Sequence, residues 1–223
     1  MSWTLYRHYK GNHYLRLGVA AHSEDLSPQV VYRCLYDNPE ARTWVRPQPM
    51  FEGAIEDGRQ RFTPVGRLRL VQSEDMRTVL AFGYEAWKHG KTFDQYCADK
   101  DTDANHLRGT RYLLEDASGQ PVSALNVLRF RESLIGLASV ATSPEQRGKG
   151  YASLLLRAVM EFHRFAQLDT RFLLFSEVKP SIYERHGFSV LPAEHQRFPK
   201  SLAMATGDTP LSATEAEFLK AYF

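Results

Sequence analysis

The stretch VATSPEQRGKGYASLLLRAVMEF sets Arg147, Gly148, Lys149 and Gly150 immediately ahead of a run with helical apolar period. A strand, a glycine-bearing turn and a helix start gather several free backbone N–H groups, and the helix dipole adds partial positive charge there. Without β-carbons, Gly148 and Gly150 let ligand oxygens reach those amides, and Arg147 and Lys149 add charge-assisted contacts. The chemistry this suits is phosphate binding. A Walker A loop needs Gly-Lys-Ser/Thr at its end, but Lys149 is followed by Gly150, with no hydroxyl to hold magnesium. A Rossmann turn needs Gly-x-Gly-x-x-Gly/Ala directly after its strand. Here Ser153 leaves the match partial, and Ser143 to Arg147 intervene. The acidic residue that pattern requires should end the next strand, yet Asp169 precedes that strand and Glu177 lies later.

A third pattern, Arg/Gln-x-x-Gly-x-Gly/Ala, is met by Arg147, Gly150 and Ala152. At this point VATSPEQRGKGYASLLL, including Pro144, resembles the pyrophosphate motif of the GNAT superfamily of acyl-CoA-dependent N-acetyltransferases. PSIYERHGFSVL, one strand further on, is a second match, and the resemblance implies that Tyr183 is the general acid. A phenol with its unperturbed pKa of about 10 stays protonated at neutral pH, ready to donate to a departing thiolate. The competing reading is a core tyrosine. The similarity spans residues 67–200 and implies an α/β fold: a mixed, mostly antiparallel central sheet, flanked by helices, whose strands ending at Thr142 and Glu177 splay apart. Carried over, the cosubstrate is acetyl-CoA. Backbone groups of Val140, Ala141 and Thr142 would hold pantetheine, and one amide would form an oxyanion hole. The amides of Arg147, Gly148, Lys149, Gly150, Tyr151, Ala152 and Ser153 would hold the pyrophosphate. Ser176 stands where many relatives have an asparagine near the cofactor, a departure from the pattern.

An amine must lose its proton before it attacks, so a base is needed. Glu177, at the strand end beside the implied splay, is the first candidate; a solvated strand-end carboxylate is the alternative. Glu132, in the turn before the acyl-binding strand, and the terminal carboxylate of Phe223 rank below it. His186 reads as a surface histidine at a helix end, and Cys97 as a helix cysteine rather than an acyl carrier. Phe82, Tyr84 and Trp87 sit on the first helix, as core or acceptor wall. The histidines show no metal-ligand spacing, so no metal is expected.

The elements that must position these groups follow from residue 67 onward. RLRLVQ is a strand, and SEDMRTVLAFGYEAW a helix with Ser73 as its predicted N-cap. TFDQYCAD is a short helix; RYLLED and PVSALNVLRF form a hairpin turning at Ser118-Gly119. LIGLASVAT is a strand, and Ala152, Leu155, Leu156, Val159, Phe162 and Ala166 share one face of the next helix. RFLLFSEV is a strand, PSIYERH a short helix, and Ser212 with Glu215 a capping box for a terminal helix.

Before residue 65 the pattern changes to period two. HYLRLGVAAH, QVVYRCLYD and TWVRPQPMF are separated by turn formers, and RFTPVGRL marks a boundary. The segment from about 6 to 51 resembles a small bacterial domain family of unassigned function, implying an all-β SH3-like barrel over 1–64 beside a 65–223 acyltransferase domain. Tyr6, Tyr9, Trp44, Arg46 and Pro47 line an aromatic groove or simply fill a core.

With 223 residues, 43% hydrophobic, 24% charged and a net charge of +2, the composition is that of a folded chain without a marked polyanion partner. Nucleic acid is therefore disfavoured. No apolar run reaches membrane-spanning length, and Cys34 and Cys97 form no disulfide framework, so a cytoplasmic setting is expected. The reading is an acetyl-CoA-dependent N-acetyltransferase acting on a primary amine by direct attack, the amine belonging to a small molecule or a protein. A homodimer is left open. The rival is an acyl-CoA-sensing binding protein whose N-terminal barrel recognises a protein or peptide.

Overall fold

The computed structural model describes residues 1–168 and 170–223, so Asp169 lies outside the described residues. Among the described residues, eleven strands make one sheet. β1 (Ser2–His8), β2 (His13–Ala21), β3 (Pro28–Cys34) and β4 (Thr43–Pro47) form an antiparallel meander, followed by helix α1 (Gln48–Glu52). β5 (Phe62–Leu70) pairs β1 on one side and β6 (Thr110–Asp116) on the other. Helices α2 (Met76–Trp87), α3 (Phe93–Thr102) and α4 (Ala104–Arg108) lie between β5 and β6 in the chain. β7 (Pro121–Arg131) and β8 (Leu134–Thr142) continue the meander; helix α5 (Tyr151–Ala166) then leads to β9 (Arg171–Ser176). Helix α6 (Ser181–Glu184), β10 (Phe188–Val190), β11 (Leu202–Thr206) and helix α7 (Ala213–Glu217) complete the chain. The spatial order is β10-β11-β9-β8-β7-β6-β5-β1-β2-β3-β4, and only β8 and β9 run parallel, as a helical crossover requires.

Side chains along β6 and β7 alternate between two cores. Tyr112, Leu114, Leu125 and Val127 face a cluster with Leu155, Leu156 and Val159 of α5. Leu113 and Ala124 instead join Val79 and Phe82 of α2. The two long helices therefore cover opposite faces of the sheet.

The N-terminal strands do not form the expected separate barrel. The strand order is linear and unclosed, and β5 runs straight across position 64/65. The physical reason is shared burial: Leu5, Leu15, Leu35 and Leu68 belong to the same core cluster as the apolar face of α5. Pro64 fits within β5 because the register shifts between Leu5 and Tyr6 beside it. Tyr14, Val30, Tyr32, Cys34, Phe51 and Phe62 form a smaller core of their own, against which Tyr6 and Trp44 pack. Those two aromatics thus serve as core rather than groove.

Local details also depart from expectation at the start of α2. Ser73 opens a short 3-10 turn instead of capping the helix; Gln72 caps that turn, its backbone N–H donating to Asp75 Oδ2 at 2.8 Å. Thr92 and Gln95 make a reciprocal capping box on α3, as Ser212 and Glu215 do on α7.

Candidate active site

β8 and β9 pair only from Leu134 to Gly136 against Arg171 to Leu173. Beyond those three positions the strands separate. An extra residue in β8, opposite β7 between Ala138 and Ala141, places Ser139 at φ +51° and bends the strand out of register. The gap opens into a cavity of about 710 Å³, walled by Leu137–Thr142 on one side and by Leu174 and Phe175 on the other. Phe82, Gly83, Ala86 and Trp87 of α2, with residues of α3 and α4, complete it.

Of the residues singled out in the sequence, Val140, Ala141, Thr142, Arg147, Glu177 and Tyr183 line this one cavity. Gly148 to Ser153 and Ser176 do not, and neither does Glu132. Ser176 is buried and its hydroxyl donates to the carbonyl of Val178 at 2.8 Å, closing its own turn. Phe82 and Trp87 line the cavity, while Tyr84 packs with Tyr96 and Phe93 and donates to the Lys91 carbonyl at 2.8 Å.

Tyr183 is placed by α6, which Pro180 opens, and its ring meets Phe188 edge-on at 6.0 Å. Burial pushes its phenol pKa upward, and the nearby Glu177 charge pushes it further. The phenol is therefore neutral at pH 7. Glu177 accepts from Trp87 Nε1 at 3.3 Å and from the Tyr222 hydroxyl at 2.6 Å, and no cation pairs with it among the described residues.

Tyr222 escaped the sequence reading. Its ring stacks on Phe175 at 5.0 Å and meets Phe198 edge-on at 5.1 Å, and its carbonyl accepts from Asn105 Nδ2 at 3.0 Å. Phe223 also lines the cavity. At Gly136 a β-carbon would lie 2.7 Å from the Phe223 ring and 2.8 Å from Phe130, so glycine there admits both rings. The available signal was the aromatic run after a capped helix, Ala221-Tyr222-Phe223.

At the glycine turn, Gly148 and Gly150 have φ of +78° and +84°, and a β-carbon at either would meet nothing within 4 Å. The dihedral, rather than crowding, demands glycine. Gly150 is the N-cap of the sixteen-residue α5 and no side chain caps it, so the first amides of the helix keep their donors free of side-chain partners. That arrangement fits a diphosphate. Arg147 is not extended toward it: its guanidinium donates to the carbonyls of Phe82 at 3.1 Å and Thr142 at 3.4 Å, tying the turn to α2 and β8. Lys149 is exposed and donates to Gln146 Oε1 at 2.9 Å.

His186 is a correction to the sequence reading. It is 8% exposed rather than on the surface, and its Nε2 lies 2.8 Å from the hydroxyl of Ser153 in the first turn of α5. Burial, then Arg157 and Arg185, lower its pKa to about 4. Cys34 and Cys97 are both buried free thiols. Among the described residues no His, Cys, Asp or Glu cluster suits a metal ion, and no helix is long and apolar enough to cross a membrane.

Residues 108–190 match the family model of the acetyltransferase (GNAT) domain, and residues 4–64 match that of a protein of unknown function (DUF1653). No curated protein sequence matches the chain. Among solved structures, a spermidine N-acetyltransferase SpeG chimera from Vibrio cholerae and hSSAT is 18% identical, over 63% of this chain and 94% of that one, with a TM-score of 0.49. N-acetylglutamate synthase from Neisseria gonorrhoeae, complexed with coenzyme A and N-acetyl-glutamate, is 16% identical over 63% of this chain and 34% of its own, with a TM-score of 0.48. An acetyltransferase of the GNAT family from Staphylococcus aureus Mu50 is 11% identical over 63% and 98%, with a TM-score of 0.49.

Proposed function

We propose, from the match of residues 108–190 to the acetyltransferase (GNAT) domain model, that the protein transfers an acetyl group from acetyl-CoA to a primary amine by direct attack. One observation carries this reading: the parallel pair β8/β9 opens after Gly136 and Leu173 into a cavity that holds a neutral phenol and a carboxylate without a cationic partner among the described residues. The uncapped start of α5, with Gly148 and Gly150, would hold the diphosphate, and backbone groups of Val140 to Thr142 the pantetheine arm. Bound acetyl-CoA would supply the activated acetyl thioester.

The protein's own residues account for the protons. Glu177, fixed by Trp87 and Tyr222, accepts a proton from the incoming ammonium and leaves a neutral nucleophile. Tyr183, kept protonated by burial, gives its phenol proton to the departing sulfur and is restored by the N–H proton that the attacking nitrogen sheds on becoming an amide. Backbone donors along the bulged part of β8 would stabilise the negative charge that develops on the carbonyl oxygen.

The test is thiol release from acetyl-CoA with a panel of primary amines, comparing wild type with Tyr183→Phe. Turnover that falls about 10²–10⁴-fold in the variant, with coenzyme A affinity kept, is the expected outcome. Firm coenzyme A binding without turnover of any amine would assign the fold to binding alone.

A further inference from the structure

A second cleft lies where the N-terminal strands meet α5 and α6, lined by arginines. Its volume is about 160 Å³, room for one small anion but not for a nucleotide. Arg42 comes from the segment between β3 and β4, Arg157 and Arg164 from α5, and Arg185 from the end of α6. Among the described residues Asp37 and Glu161 are the only acids on the wall, so four arginines face two carboxylates. Both acids are already engaged. Asp37 accepts from Arg42 at 3.0 Å, and Glu161 from Arg42 at 3.2 Å and Arg164 at 3.1 Å.

Arg157 and Arg185 have no carboxylate partner among the described residues. Arg157 donates to the carbonyls of Leu35 and Arg185, each at 3.1 Å, and Arg185 donates from Nε to the Ile182 carbonyl at 3.1 Å. Guanidinium N–H groups are left over on both. His186 adds an independent sign on the same wall. Its Nδ1 is buried without a hydrogen-bond partner, a condition native interiors rarely leave unanswered. With its proton on Nδ1, the ring accepts at Nε2 from the Ser153 hydroxyl and leaves Nδ1–H without a partner among the described residues.

We propose that this cleft binds a single phosphate group through Arg157 and Arg185, beside His186 on its wall. Guanidinium forks match phosphate oxygens bidentately, and two unmatched guanidinium charges match a phosphate dianion. Because Leu35 and Arg42 belong to one half of the chain and α5 and α6 to the other, the bound group bridges both. The His186–Ser153 contact joins the cleft to the first turn of α5, where the diphosphate would sit. The phosphate group is therefore either free orthophosphate or the 3′-phosphate of coenzyme A.

Calorimetry on the full chain, with inorganic phosphate in a phosphate-free buffer, tests the site. Wild type should bind, Arg185→Gln should bind at least about tenfold more weakly, and the melting temperatures of the two without phosphate should agree. The His186 ring resonances should move on phosphate addition in wild type only. Repeating the titration with saturating coenzyme A or dephospho-coenzyme A separates the sources, and this arm alone rests on the acyl-CoA reading. Phosphate excluded by coenzyme A but not by dephospho-coenzyme A identifies the cofactor's own 3′-phosphate; phosphate retained with both identifies free phosphate. A protein that binds neither nucleotide overturns the acyl-CoA reading and leaves the phosphate result standing. No heat at about 10 mM phosphate, equal binding in Arg185→Gln, unmoved His186 resonances, or exclusion by dephospho-coenzyme A would overturn the proposal.

Discussion

The hydroxyl of Tyr222 donates a 2.6 Å hydrogen bond to Oε1 of Glu177, joining residues 45 positions apart. Glu177 is thereby fixed between a phenol and the indole of Trp87, with no ion pair to neutralise it among the described residues. The two donors come from opposite ends of the domain, α2 and the segment after α7. Their meeting point is a carboxylate on the cavity wall.

If Glu177 takes the ammonium proton, Glu177→Gln should lower kcat/KM by about 10²–10⁴-fold. Tyr222→Phe removes only the donor and keeps the ring stacked on Phe175. It should cost about tenfold, mainly in kcat, because a mispositioned base slows the step without weakening binding. Steady-state kinetics on both variants decide the point; equal activity of Tyr222→Phe and wild type would remove Tyr222 from any positioning role.

The phenol of Tyr183 is raised above its ordinary value of about 10, first by burial and then by Glu177. A general acid works while protonated, so activity should persist below that raised value and fall as pH rises through it. Replacing Glu177 with Gln removes the anion, and the alkaline limb of residual activity should move to lower pH. The measurement is the pH profile of kcat/KM for both proteins. A limb that stays in place would show that Glu177 does not act on the phenol.

Gly150→Ala places a β-carbon in open space but at φ +84°, so its cost is conformational. A left-handed alanine should cost about 1–2 kcal/mol, which lowers the melting temperature by about 2–8 °C in a chain of this size. Gly150→Asn should cost less, since asparagine tolerates that region better. Thermal unfolding of the two variants gives the comparison.

Glu161 is 5% exposed and accepts from Arg33 at 2.6 Å, Arg42 at 3.2 Å and Arg164 at 3.1 Å. Glu161→Ala leaves Arg33, itself 3% exposed, as a buried charge without its counterion. A loss of about 3–5 kcal/mol is expected. Because Arg33 lies on β3 and Glu161 on α5, the loss should appear in the unfolding of both halves together. The double replacement Arg33→Met with Glu161→Leu should recover most of it, as buried ion pairs often exchange for apolar contacts at little net cost. Urea denaturation of the single and double variants checks both statements.

Much of the fold was legible because its signals are local. Alternation marked β2, β3 and β4, short apolar runs marked β6 to β9, and the apolar stripe marked α5. The Ser212–Glu215 box is satisfied within four residues and needed no tertiary knowledge. The start of α2 was less legible, because Gln72 and Asp75 cap it only with Arg69 closing on Asp75 at 2.5 Å and 2.8 Å.

The chain's own order of residues determined the glycine turn, the helix behind it and a tyrosine one strand further on, since dihedral preference and period are properties of short segments. Packing alone decided the rest. The N-terminal strands joined the main sheet instead of closing on themselves because Leu5, Leu15 and Leu35 find their burial under α5, more than a hundred residues away. Arg147 turned to the backbone carbonyl of Phe82, His186 went inside, and Tyr222 came to Glu177, each for a partner distant along the chain. A side chain's partner is set by which faces the sheet order brings together, and that order is fixed only when the whole core is buried at once.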